Sequence, residues 1–152
     1  MQRWIVAGVV AVLLLGGGGL AAYYKLVYKP NRPAPFWVPM PINPELPAEK
    51  RDEIIKHLKT GLGQPERLAK VSKDVGLVTK WGLPSDEACA AELGKRLFVR
   101  AGDMDMPMGK VPAIHVGLTG KRKESKVSEE IVMRLMDDVW KVLGIEPPAK
   151  KQ

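Results

Sequence analysis

Apolar positions along this chain fall into three kinds of pattern: one unbroken run, several stretches at helical spacing, and two that alternate. The unbroken run is Ile5 to Tyr24, which carries no charged side chain. Such a length in helical rise covers roughly 30 Å, the thickness of a bilayer hydrocarbon core, so the run reads as a transmembrane helix. Trp4 at one end and Tyr23, Tyr24 and Tyr28 at the other suit the two membrane interfaces. A cleaved secretory signal is the alternative, with Arg3 as its basic start and Gly19-Leu20-Ala21 as a cleavage site. The length of the run favours an uncleaved anchor.

Helical spacing begins at Pro47, well placed at a first helical position. Ile54, Ile55, Leu58 and Leu62 share one face, and Gly61 can end the helix. A second short helix follows Gln64-Pro65, with Leu68, Val71 and Val75 inward and Gly76 as its stop. A third begins at Ser85, an N-cap followed by Asp86 and Glu87 near the positive helix end. Its inward side is Ala90, Leu93 and Leu97. The alternating stretches are Leu97–Arg100 and Ala113–Thr119, read as two adjacent strands; Ile114, Val116 and Leu118 alternate with Ala113, His115 and Gly117. A long helix from Ser125 to Leu143 carries the stripe Val127, Ile131, Leu135, Val139 and Val142, closed by Gly144 and Pro147-Pro148. A sheet face and that stripe need each other, so Val116, Ile131 and Leu135 are expected to be buried together.

Between the uncharged run and the first helix lies a proline-rich arm, with Pro30, Pro33, Pro35, Pro39, Pro41, Pro44 and Pro47. Each proline fixes φ and removes a donor, which gives an extended, semi-rigid segment. Phe36, Trp37, Val38, Met40 and Ile42 are too apolar for a bare linker, so the arm reads as an edge strand or packed arm. The predicted class is therefore α+β: a small sheet covered by helices, preceded by one N-terminal transmembrane helix. The predicted division is 1–28 transmembrane anchor with flanks, 29–47 Pro-rich arm, 48–146 small α/β soluble domain and 147–152 tail.

Charge changes the picture little. Of the formal net charge of +7, Arg3, Lys25, Lys29 and Arg32 precede the first acidic residue, Glu45, and would meet anionic head groups. Later basic and acidic residues alternate, as in Lys50-Arg51-Asp52-Glu53, which is a solvated helix face rather than a nucleic-acid surface. The single Cys89 excludes an intrachain disulfide and reads as a small buried residue. No catalytic residue, cofactor site or metal site is assigned. Asp103 and Asp105 are too few carboxylates for a calcium loop. Met104, Met106 and Met108 suit a contact surface better than a copper site. His57 reads as solvent-facing and His115 as a half-buried packing residue. Ser72, Ser85, Ser125 and Ser128 lack a nucleophile-elbow context, and Gly117-Leu118-Thr119-Gly120-Lys121 lacks the phosphate-loop pattern. The candidates for partner or membrane contact are Trp37, the loop of Met104, Met106 and Met108, and the basic cluster Lys121, Arg122 and Lys123.

One resemblance adds to this. The series Leu68-Ala69-Lys70-Val71, Val75-Gly76-Leu77, Trp81-Gly82, Ala88, Leu93, Arg96-Leu97-Phe98-Val99 and Ile114-His115-Val116-Gly117-Leu118, followed by a closing helix, resembles the soluble domain of Wzz-type polysaccharide chain-length determinants. It covers roughly Phe36 to Leu143 and rests on apolar spacings, not on catalytic residues. Relative to that family the chain lacks the second membrane helix and the long helical extension, so it reads as a truncated form. The resemblance implies a non-enzymatic assembly or scaffold component of surface-polysaccharide synthesis or export. It implies a single-pass protein of the bacterial inner membrane with its domain outside the cytoplasm, although the flanking charges argue weakly for the opposite orientation. The partners implied are the lipid bilayer, further copies of itself or other envelope proteins, and polysaccharide, with no nucleic acid. The alternatives are a membrane-tethered protein-interaction module unrelated to polysaccharide and an exported enzyme.

Overall fold

The structure is a computed structural model and describes residues 22–107 and 109–145. These fall into two compact units, a small one of residues 22–34 with Lys121–Lys123 and a large one of Pro35–Gly120 with residues 124–145.

In the small unit a π-helical turn, Tyr24–Tyr28, runs into a single α-turn, Lys29–Asn31. The Tyr24 and Tyr28 rings stack at 5.3 Å, and Asn31 Nδ2 donates to Val27 O at 2.8 Å. This corrects the expectation of a preceding transmembrane helix: among the described residues, no helix is long and apolar enough to cross a membrane. The described turns carry Lys25 and Lys29, and ten residues in helical rise reach only about 15 Å. Residues 5–21 of the expected span lie outside the described residues.

The rest of the chain is α+β, with one three-stranded sheet among the described residues in the order β1-β3-β2. Strand β1 is Pro33–Pro41, within the proline-rich arm. Helices α1 (Ala48–Leu62), α2 (Pro65–Val75), α3 (Leu77–Trp81) and α4 (Asp86–Arg96) follow. Strands β2 (Leu97–Met106) and β3 (Gly109–Lys121) then form a hairpin, and α5 (Ser125–Leu143) closes the fold. Local chemistry explains most of the boundaries. Ser85 Oγ accepts from Ala88 N at 3.2 Å and starts α4. Gly76 and Gly144 take φ of +71° and +67°, a left-handed stop that L side chains resist.

Three boundaries differ from the pattern reading. Helix α1 runs past Gly61 and ends at Gly63, whose N–H bonds Lys59 O. Gly61 instead makes room for α5, since a Cβ there would lie 2.7 Å from Val142 Cγ1. Helix α3 was not anticipated; it fits between the two left-handed glycines Gly76 and Gly82, with Leu77 buried. Both hairpin strands are longer than Leu97–Arg100 and Ala113–Thr119. The ladder continues from Leu97↔Leu118 to Met106↔Gly109, so Met104 and Met106 stand on a strand rather than in a loop.

Alternation divides the sheet into two faces. Val99 on β2, Ile114, Val116 and Leu118 on β3, and Met40 on β1 enter the core beneath the helices, all buried. The core has two parts. In one, Leu118, Ile131, Val132 and Leu135 meet Leu68, Val71, Leu77, Cys89, Ala90 and Leu93 of α2, α3 and α4. In the other, Ile114, Val116 and Val99 meet Leu58 and Leu62 of α1 and Val139 of α5. Val116, Ile131 and Leu135 are all buried, but Val116 belongs to the second part. Successive inward residues on a strand advance by roughly 6.6 Å, so Leu118 reaches Ile131 and Leu135 while Val116 lies further along, near Val139.

Polar braces tie the helices. Ser72, wholly buried on α2, donates to Asp86 Oδ1 of α4 at 2.7 Å. Arg134 of α5 holds Asp74 at 2.8 Å and Asp138 at 3.1 Å. Arg96 reaches Glu92 at 2.8 Å and Glu124 at 3.0 Å. The Arg96 hydrogen bond holds the Glu92 carboxyl below its ordinary range.

The edge strand has a further regularity. Ile42 N donates to Pro112 O, and Arg122 N donates to Arg32 O, so β1 runs antiparallel to β3 with its even-numbered residues turned toward it. The odd-numbered residues turn their backbone outward to the free edge. They are Pro33, Pro35, Trp37, Pro39 and Pro41, so only Trp37 keeps an N–H there. Proline on an edge strand removes the donors that another strand would need.

Two expectations follow. Leu135→Ala should lower stability by roughly 2–5 kcal/mol, as a large-to-small change in a packed core does, read from the urea midpoint. Replacing Pro35 and Pro39 together by threonine should restore outward donors and raise aggregation, read by light scattering at an unchanged far-ultraviolet spectrum.

Candidate interaction face of the sheet

The face of the sheet turned away from the helices carries a set of side chains that belong to neither part of the core. The row Phe98–Gly117–Trp37 crosses all three strands, since Phe98 pairs with Gly117 and a Cβ on Gly117 would lie 2.7 Å from Trp37 Cβ. The next row holds Arg100 opposite His115. Trp37 is 42% exposed and its ring stacks with His115, centroids 5.7 Å apart. The Arg100 guanidinium lies 4.9 Å from the Phe98 ring centroid and 5.9 Å from that of Trp37, within cation–π range of both.

Two glycines make this arrangement fit. At Gly117 a Cβ would come within 2.1 Å of Phe36 O, so only glycine lets β1 and its tryptophan approach here. At Gly102 a Cβ would lie 2.5–2.8 Å from three atoms of the His115 ring, so the imidazole lies directly over that residue. His115 Nε2 lies 3.0 Å from Asp103 O, and because a carbonyl only accepts, Nε2 is the donor. His115 Nδ1 is buried without a hydrogen-bond partner. His115 is therefore a half-buried packing residue, but one that holds Trp37 in place.

Arg96 and Arg134 each hold two carboxylates, while Arg51 donates to Leu46 O and Pro44 O and Arg67 to Gln64 Oε1. Among the described residues no carboxylate lies within ion-pair distance of Arg100. Its exposed guanidinium instead lies over two aromatic rings.

The contact residues named from sequence divide as follows. Trp37 is the centre of this cluster. Met104 stands on the same side as Arg100, opposite Val111, and is half-buried. Met106 pairs with Gly109 at the end of the hairpin and is 46% exposed. Met108 lies outside the described residues. Lys121 ends β3, and Arg122 and Lys123 lie in the 3-10 turn Arg122–Glu124; all three belong to the small unit. Phe98, Arg100, Gly102 and the role of His115 were not singled out from sequence. The available signal was a glycine inside each strand of the hairpin, Gly102 and Gly117, which marks a close approach.

Alongside the β1 edge a groove of about 390 Å³ separates that strand from α5, with Trp37, Val132 and Met133 among its lining residues. Met133 is 64% exposed. Among the described residues no group of three His, Cys, Asp or Glu side chains is placed to hold a metal ion. His57 is exposed at the α1–α5 contact, with its Nε2 3.1 Å from Val142 O.

Comparison with known protein families, with curated proteins and with solved structures gives no match.

The glycines give a direct test of this geometry. Gly117→Ala should destabilise the protein by about 1–3 kcal/mol, the usual cost of forcing a methyl group into a packed site. Gly102→Ala should instead displace the imidazole at smaller cost, and the Trp37 indole proton resonance should shift. An unmoved indole resonance in Gly102→Ala would contradict the stacked arrangement.

Proposed function

We propose that this chain is a non-enzymatic assembly or scaffold component of bacterial surface-polysaccharide synthesis or export, similar to Wzz-type chain-length determinants. Its α+β domain would act outside the cytoplasm, at the inner membrane, through contact with other copies of itself or other envelope proteins. The observation that carries this reading is the order of elements from Phe36 to Leu143. A strand, a set of helices, a two-stranded hairpin and a closing helix follow one another there, an order that supports this reading. The open sheet face adds support, since it offers aromatic, apolar and cationic groups in one place. Contact surfaces of this composition are where aromatic and arginine anchors concentrate binding energy.

A protein-interaction module unrelated to polysaccharide is the competing reading. The exposed apolar side chains Trp37, Met106 and Met133 favour it, because any apolar partner could cover them.

Deletion of the gene in its own organism separates the two. An assembly role predicts an altered length distribution of surface polysaccharide on gels, together with cross-linked species above monomer in wild-type cells. An unchanged distribution in the deletion strain would refute the polysaccharide role and leave the interaction module.

A further inference from the structure

Charge and hydrogen-bonding capacity on the open sheet face are unequally supplied, and together they describe a ligand. Arg100 has a guanidinium fixed over Phe98 and Trp37 and, among the described residues, no carboxylate to neutralise it. An exposed guanidinium that lies over two rings and has no carboxylate partner favours a pair of anionic oxygens, such as those of a carboxylate. Beside it, Trp37 offers an exposed indole supported from one side by His115. Such a ring takes flat, apolar C–H surface.

The edge next to Trp37 decides what kind of anion fits. Its outward backbone groups come from Pro35, Trp37, Pro39 and Pro41. Every one of these residues offers a carbonyl, and only Trp37 also offers an N–H. An extended acidic peptide added to this edge would need donors and acceptors in alternation, and the donors are missing. A ligand rich in hydroxyl groups meets the edge on its own terms, because hydroxyls donate to carbonyls. The adjoining groove of about 390 Å³ is within the size range of small-ligand sites.

We propose that the open sheet face binds an acidic polysaccharide segment. A uronate ring would lie on Trp37, its carboxylate on Arg100 and its hydroxyls along the β1 edge carbonyls. This rests on the polysaccharide reading above and names the ligand class for that surface. Gly117 is the residue that allows Trp37 and Arg100 to be neighbours. With no side chain between Phe98 and Trp37, the guanidinium reaches both rings. Trp37 is held by its stack with His115 before the ligand arrives, so that ring needs little ordering on binding.

The test is titration calorimetry of the purified full chain with oligogalacturonate, with its methyl ester, and with poly-glutamate of similar charge. Oligogalacturonate should bind, and the neutral ester about tenfold more weakly, as expected for loss of one charge-assisted hydrogen-bonded pair. Arg100→Gln should remove the difference between acid and ester, and Trp37→Ala should abolish binding of both, with each variant folded by its far-ultraviolet spectrum at the titration temperature. Absence of oligogalacturonate binding, or an acid preference retained in Arg100→Gln, would overturn the proposal. Poly-glutamate binding as tight as the glycan would overturn the choice of ligand in favour of an acidic protein. If deletion alters polysaccharide length while oligogalacturonate fails to bind, this inference falls and the assembly role stands.

Discussion

The contact between α5 and the inner face of β3 is the constraint on which the rest of the domain depends. Alternation along β3 is fixed at two residues, so turning Ile114, Val116 and Leu118 toward the helices obliges His115 and Gly117 to face the other way. The apolar stripe of α5 crosses both parts of the core, with Ile131, Val132 and Leu135 in one and Val139 in the other. A slip of one residue in β3 would bury His115 and expose three large apolar side chains. The geometry of the open face is therefore set by packing on the opposite side of the sheet.

That division gives the two faces different roles. The helical side holds the fold, with the larger apolar side chains almost fully buried and with Ser72, Arg96 and Arg134 bracing the helices. The other side contributes no residue to either part of the core beyond the strands themselves. Its side chains are placed by two glycines, Gly102 and Gly117, that leave space for an imidazole and an indole. The prolines of β1 close that edge of the sheet to strand addition. A single exposed tryptophan at that edge borders both the face and the groove beside α5.

Much of this was legible in the sequence because it depends on neighbouring residues. Ser85 as a cap, Gly76 and Gly144 as stops, Pro65 at a helix start and the Ser125–Leu143 stripe all act within a turn or two. The edge-strand reading of the arm also followed from local chemistry, since proline is tolerated only there. What was missed depends on distant pairing. Met104 and Met106 lie among aspartates with weak strand preference, and the ladder with Val111 and Gly109 holds them in β2. The Trp37, Arg100 and His115 cluster draws one residue from each of three strands, so no spacing along the chain could reveal it. Trp37 alone was visible as a candidate, because an exposed-looking tryptophan among prolines has no packing explanation in a linker. The transmembrane helix expected before the domain has no counterpart among the described residues.

The most direct measurement of whether the open sheet face carries the function is complementation of the deletion strain. The chain would be supplied with Trp37→Ala and Arg100→Gln together, and surface-polysaccharide length compared with that given by the unaltered chain. Both side chains lie outside the core, so the variant should accumulate to normal levels and yet fail to restore the length distribution. Full restoration by a variant lacking both groups would contradict the assignment of function to this face.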